Sequence, residues 1–268
     1  MNKKNLIPVI ILAAVLPFTS AFAYSHKIYN YFTRKAIKEY RNIVRNPGGW
    51  MILGESEKGN PVFYREFGNG KNITLIIGGI HGDEPAATSS VIELARFLEK
   101  YPKAITQKAV LVACLNPDGL LAGTRVNSRG VDINRNFPAD NWSPEYIKPY
   151  NNSGEKPASE KETQLAVEII KKYKPRLLIQ MHQPFNTIYA NKYVPVEISE
   201  EMSQITGLPV EEDVWYPTPG SLGSHATSGK KRIPVITYEM GSISRAQDYT
   251  GVIVSIIRVI NRIGDKSR

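Results

Sequence analysis

His81 and Glu84 stand three residues apart, directly after the apolar run Ile73 to Ile80, which carries Gly78 and Gly79 near its end. At that spacing a turn, or the first turn of a helix, can aim both side chains at one point. The two small glycines let the backbone approach a site closely. His182 follows a second apolar run, Arg176 to Met181, and Glu239 follows a third, Ile233 to Tyr238. Two imidazoles and one carboxylate are the donor set of a catalytic zinc site that keeps one position open. A cation so held retains net positive charge, which lowers the pKa of water and polarises a carbonyl. The expected cofactor is one Zn2+ per chain, with His81, Glu84 and His182 as its ligands. The four histidines are His26, His81, His182 and His225, and two of them fall at strand ends.

Between these positions lie Asn116-Pro-Asp-Gly119, Arg125 and Asp132-Ile-Asn-Arg-Asn-Phe-Pro138. An arginine fork donates two parallel hydrogen bonds, which suits it to a carboxylate. Arg135 is flanked by Asn134 and Asn136, amides that can fix its register; a structural salt bridge is the competing use, and Arg129 is the candidate for that duty. Asp83 either orients a ligand imidazole or caps the helix that follows it. Cys114 lies in the apolar run Ala109 to Leu115 and reads as a buried, inert thiol. No Ser-His-Asp set or reactive cysteine competes as a nucleophile.

These residues need a scaffold. Periodicity predicts an initial helix over Thr33 to Val44, ended by Pro47-Gly-Gly49, and a strand over Val62 to Phe67. Ile73 to Ile80 is a buried strand, and Pro85 to Lys100 an amphipathic helix. Ala109 to Leu115 is another strand. The segment from Asn116 to Ala158 is long, poor in periodicity and rich in Gly, Pro, Asn and Asp, as befits a stretch that builds a site. Helix returns at Ser159 to Lys172, with Ser159 as N-cap and Glu162 completing a capping box. Strands at Arg176 to Met181 and Ile233 to Tyr238, and helices at Glu197 to Ile205 and Ala246 to Ile263, complete the pattern; Trp215 to Gly223 reads as a loop. No linker or internal repeat divides the chain. The expected fold is one α/β domain: a mixed, mostly parallel twisted sheet with helices on both faces. The polar residues singled out sit at strand C-terminal ends, where such folds bind ligands.

The first residues read as a secretory signal peptide over 1–23. Lys3 and Lys4 supply the positive start, the 13 residues Leu6 to Phe18 the apolar stretch, and Ala21-Phe22-Ala23 the cleavage site. A run of that length is short for a membrane span, so the expected location is periplasmic or secreted, with no stable membrane anchor after cleavage and a catalytic domain over 24–268. Formal net charge is +9, or about +7 without Lys3 and Lys4. Lysines and arginines are scattered among glutamates with no basic stripe, which argues against nucleic acid as a partner. Small anionic peptides suit the surplus better. The lone cysteine excludes an internal disulfide, so packing must hold the fold.

Gly79-Ile-His-Gly-Asp-Glu84, Asn116-Pro-Asp-Gly119, Gly123-Thr-Arg-Val-Asn127, Gly130-Val-Asp-Ile-Asn-Arg-Asn-Phe-Pro138 and Thr237-Tyr-Glu239, in this order, resemble the zinc carboxypeptidases of the carboxypeptidase A superfamily. Carboxypeptidase A is itself a standard example of the His, His, Glu zinc site. Within the superfamily the chain resembles most the bacterial murein peptide amidases, which cut between γ-D-glutamate and meso-diaminopimelate. The resemblance implies His81, Glu84 and His182 as metal ligands, Arg125 as the oxyanion stabiliser and Glu239 as general base, then acid. It implies Asn134 and Arg135 as holders of a terminal carboxylate, and Tyr216 as a closing tyrosine. It also implies a small cell-wall peptide or peptidoglycan stem peptide as partner. A general metallocarboxypeptidase on L-peptides, an N-acyl amino acid deacylase and a non-catalytic cell-wall binding protein are the competing readings.

Overall fold

The computed structural model describes residues 18–145, 148–212, 214, 216–230, 232–241 and 249–263. Its centre is an eight-stranded sheet: β1 (Met51–Glu55), β2 (Pro61–Phe67), β3 (Ile73–Ile77), β4 (Lys108–Val112), β5 (Leu177–His182), β6 (Phe185–Ala190), β7 (Val210–Glu211) and β8 (Val235–Gly241). The spatial order is β1-β2-β4-β3-β5-β8-β6-β7. The central strands β4, β3, β5 and β8 run parallel, while β2 and β6 flank them antiparallel. The mixed, mostly parallel sheet expected from the sequence is therefore present.

Strand alternation sends successive side chains to opposite faces, and the core divides accordingly. Ile76, Leu111, Ile179, Met181, Ile236 and Tyr238 pack against helices α1 (Phe18–Arg45), α2 (Pro85–Lys100), α5 (Val196–Thr206) and α7 (Tyr249–Arg262). Leu75, Ile77, Val110, Val112, Leu178 and Val235 meet α4 (Lys161–Tyr173) and α6 (Leu222–Thr227) on the other face. Helices thus cover both faces. The short α3 (Pro117–Ala122) follows β4, with its Asn116 side chain accepting the Gly119 amide as an N-cap.

Several boundaries differ from expectation for identifiable reasons. α1 extends well before Thr33; the predicted stretch is the part whose Ala36, Tyr40 and Ile43 are buried in the core. Most of the expected signal peptide, residues 1–17, lies outside the described residues, while Ala21 to Ala23 fall within α1. The nominally irregular segment contains α3 and two short 3-10 turns, Ile133–Arg135 and Pro149–Asn151. Ser159 does not cap α4: the N-cap is Glu160, without a side-chain cap. Ser159 Oγ instead donates to Glu160 Oε1, and Glu162 is buried against Asn127 and the Glu57 amide. Strands β1, β6 and β7 escape periodicity because they lie at the sheet margins, and β6 is shaped by pairing with β8 rather than by its own pattern. Among the described residues, no helix is long and apolar enough to cross a membrane.

Candidate metal centre and catalytic cleft

The site grows out of the sheet's register. On one face of β5 and β8 the partners are Leu178 with Val235, then Gln180 with Thr237, then His182 with Glu239. The first pair is core; the next two, toward the strand ends, are polar and open into a cleft of about 1120 Å³. β3 ends at Ile77, and Gly78 to Glu84 carry the chain over to α2. Gly79 adopts a φ of +59°, and a Cβ there would lie 2.5 Å from Thr88 Oγ1 and 2.8 Å from Cys114 Sγ. Gly82 lies against the α3 turn so closely that a Cβ would fall 1.9 Å from the Gly119 carbonyl carbon. Glu84, the N-cap of α2, has no side-chain role in capping. The Ala86 amide is satisfied from outside by Gln183 Oε1 at 2.9 Å.

Glu84 is thereby free to face both histidines. Its Oε1 lies 2.7 Å from His81 Nδ1 and its Oε2 2.8 Å from His182 Nδ1. All three residues are buried, and one donor atom from each falls within 4.8 Å of the others. Zinc takes nitrogen and oxygen ligands at about 2.0–2.2 Å, so donors this close can share one ion. The chemistry and the spacing fit a single zinc site. A second acidic group, Glu57, Glu160 and Glu162, is also close-set, but Asn127 Nδ2, the Glu57 amide and Arg129 already engage its buried carboxylates.

Electrostatics around the ligands are tightly compensated. Burial and Arg125 oppose a charge on His81, yet Glu84 and Asp132 outweigh them and push it up to about 9. Burial holds His182 below its ordinary value against the pull of Glu84. Burial would raise Glu84, but the two histidines hold it well below the usual carboxylate range. Burial likewise acts against Asp132, whose neighbours Arg125 and His81 prevail and keep it ionised.

Arg125 lines the cleft, with Nε donating to Asp132 Oδ2 at 3.1 Å and Nη1 3.6 Å from Glu84 Oε1. Asn134 is pinned: its Oδ1 accepts from the Leu222 amide at 2.8 Å and its Nδ2 sits 3.4 Å from His182 Nε2. Arg135 is 7% exposed, lines the cleft and donates to the Asn134 carbonyl. Among the described residues no carboxylate pairs with it, whereas Arg129 makes the structural ion pairs expected of it, with Glu155 and Glu160. Glu239 is buried with Oε2 unpartnered, and burial, followed by the nearby Glu84, pushes it up to about 8. Tyr216 lines the same cleft, its ring 6.3 Å from that of Phe185. Burial, then Glu239, raises its phenol.

Asp83 does neither of the things expected of it. The carboxylate on His81 is Asp132, with Oδ1 3.1 Å from Nε2, and α2 starts without a side-chain cap. Asp83 lines the cleft with Oδ1 buried and unpartnered, and burial and then Glu84 raise its carboxyl. Asp132 also accepts from the Asn134 amide, so one side chain sets His81, Arg125 and Asn134 together. Its signal in the sequence was its place two residues before Asn134. Gln183 left no such signal, because its partner Ala86 is remote in the chain. Asn127 and Asn136 shape the loop: Asn127 Oδ1 accepts from the Arg129 and Val131 amides, and Asn136 Nδ2 donates to Ser153, Lys156 and Ser159.

Known proteins resemble this chain in sequence and fold. Murein peptide amidase A of Escherichia coli (strain K12) is 35% identical over 190 residues, covering 66% of this chain and 76% of its own. The enzyme of that name from Vibrio campbellii is 29% identical over 204 residues, covering 71% of this chain and 79% of its own. The crystal structure of murein-tripeptide amidase from E. coli O157 superposes with a TM-score of 0.69 at 30% identity, over 79% of this chain and 92% of that one. Bovine thrombin-activatable fibrinolysis inhibitor shares the fold, with a TM-score of 0.70 at 16% identity over 90% of this chain and 97% of its own. Residues 35–250, from α1 to the start of α7, match the zinc carboxypeptidase family. This chain belongs to that family and is a zinc-dependent metallopeptidase.

Proposed function

We propose that the protein hydrolyses the amide between γ-D-glutamate and meso-diaminopimelate in small cell-wall peptides. The observation that carries this reading is Arg135: a nearly buried guanidinium, unpaired with any carboxylate among the described residues, in the same cleft as the His81, Glu84 and His182 cluster. An arginine so placed calls for an anionic end on the ligand. The relatives named murein peptide amidase A narrow the substrate class to cell-wall peptides.

His81, Glu84 and His182 would hold zinc, which lowers the pKa of water and polarises a carbonyl. Glu239 Oε2 takes the proton of the attacking water and returns it to the leaving nitrogen. Its burial suits both duties, since a carboxyl raised toward neutrality accepts and donates readily near pH 7. Arg125 supports the negative charge that develops on the scissile carbonyl oxygen. Asn134 and Arg135 hold the terminal carboxylate, and Tyr216 covers the cleft. Asp83 shares the cleft wall without a positioning contact to His81. We further propose export, with the mature protein beginning at Tyr24; mass measurement of protein recovered from the cell envelope should give that terminus, and an intact Met1 form there would refute processing.

The test is incubation of zinc-loaded enzyme with L-Ala-γ-D-Glu-meso-diaminopimelate, followed by mass spectrometry. Release of free diaminopimelate by the wild type and not by Glu239→Gln is expected. Cleavage of ordinary L-peptides alone would defeat the specificity and leave the peptidase.

A further inference from the structure

Helix α1 turns Ala36, Tyr40 and Ile43 into the core, and its opposite side carries charge of a single sign. Arg34, Lys38, Arg41 and Arg45 are all exposed. At about 3.6 residues per turn they fall within about 60° of arc, in a row about 16 Å long. The sequence predicts no basic stripe, yet one forms here, because a helix brings residues three and four apart onto one side. Among the described residues, none of the four makes an ion pair. Glu39, the only acid in α1, is buried on the other side and takes Lys35, Arg96 and the Ser89 hydroxyl. Arg65 and Arg96, which line a cavity with Arg45, are held by Glu99, Glu39 and Glu93. Cations on other helices have acids set against them: Glu168 shares α4 with Lys171 and Lys172, and Glu201 of α5 meets Arg258 and Arg262 of α7. The α1 row stands uncompensated.

Cations gathered on one surface without counter-charges attract an extended anion. Its kind follows from the row's apolar neighbours. Tyr31, 64% exposed, begins the row, and Val44, 43% exposed, flanks its far end. An aromatic ring and an aliphatic side chain among cations suit the boundary between lipid headgroups and acyl chains. A phosphate polymer in water would leave both of them wet. The helix is not apolar enough to cross a bilayer, so contact is with the surface. We propose that the exposed side of α1 docks on a bilayer rich in anionic phospholipid. Arg34, Lys38, Arg41 and Arg45 meet the headgroup phosphates, and Tyr31 lies among the headgroups. Each cation close to such a surface multiplies affinity by about fivefold at physiological salt. No α1 residue lines the catalytic cleft, so a docked enzyme keeps its substrate entry.

The test is sedimentation of the full chain with vesicles of phosphatidylcholine alone and of phosphatidylcholine mixed equally with phosphatidylglycerol. Binding through the apolar leader is common to both vesicles and to every variant, so it cancels in the ratio of the two partition coefficients. Wild type is expected to favour the anionic vesicles by at least about tenfold at about 0.1 M salt, and to lose that preference at about 1 M. Replacing Arg34, Lys38, Arg41 and Arg45 together by Gln should bring the ratio close to unity. Replacing the three arginines by Lys keeps the charge and should keep the preference. A control removes four exposed cations in and just after α4, Lys161, Lys171, Lys174 and Arg176, on the other face of the sheet. It should stay within about twofold of wild type. A wild-type ratio near unity, or an equal fall in the α1 and α4 variants, overturns the proposal. Row-dependent binding to polyphosphate or double-stranded DNA without preference for the anionic vesicles would give the row to a soluble polyanion and overturn it as well.

Discussion

Glu84 offers one oxygen to each of two imidazoles, and the rest of the cleft is built around that division. Asp132 holds the far side of His81 and the guanidinium of Arg125, so three charged groups keep a fixed relation before any ligand arrives. Among the described residues, Arg135 differs from Arg125 in having no such carboxylate. Its replacement should therefore be felt in substrate binding rather than in folding. Arg135→Ala is expected to raise KM about tenfold to a hundredfold for substrates with a free terminal carboxylate, the worth of a charge-assisted hydrogen bond. Substrates amidated at that end should show no further loss, and steady-state kinetics on the matched pair checks this. Glu239, the unpaired acid, was legible from its place after a strand. Asp132 was visible in the same motif as Asn134 and Arg135 but carried no role until the fold brought it to His81.

At the scale of elements, the polar pairs on β5 and β8 depend on strand register, and the approach of β3 to α2 depends on two glycines. Gly82→Ala should destabilise the protein by about 1–3 kcal/mol or more, because the backbone at Gly119 cannot yield as a flexible side chain would. Thermal unfolding with a parallel zinc assay checks it, since the same loop carries His81 and Glu84. The α3 turn has its own anchor. Burial would raise the Asp118 carboxyl, but hydrogen bonds from Ser56, Asn60 and Ser128 and from the Lys58 amide hold it below its usual value. A carboxyl lowered on folding stabilises the protein above its unfolded pKa of about 4 and loses that contribution as pH falls through the folded value. Asp118→Asn should therefore lower Tm at pH 7, with a loss of about 1.5–3 kcal/mol of stability, and the gap to wild type should close as the solution is acidified below about pH 4. Denaturant unfolding across pH measures both. Helix α2 and the parallel strands declared themselves through periodicity. β1, β6 and β7 did not, because marginal strands are defined by their neighbours more than by alternation.

For the whole molecule, three ligands from two strand ends and one helix start make metal binding a property of the folded state alone. Chelation should abolish activity and lower Tm, and zinc at about a hundredfold over its Kd should restore about 2.7 kcal/mol; calorimetry with and without chelator reads the shift. A Tm indifferent to zinc would mean that the cluster does not bind it. By itself the sequence determined the ligand types, the parallel core and the placing of chemistry at strand ends, because residue type and hydrophobic period are local properties. Only the tertiary structure decided that Asp132 rather than Asp83 supports His81, that Gln183 accepts the Ala86 amide at the start of α2, and that Gln180 donates to Thr237 on the cleft floor. Those are contacts between residues far apart in the chain, set by register and loop closure, and no local pattern encodes them.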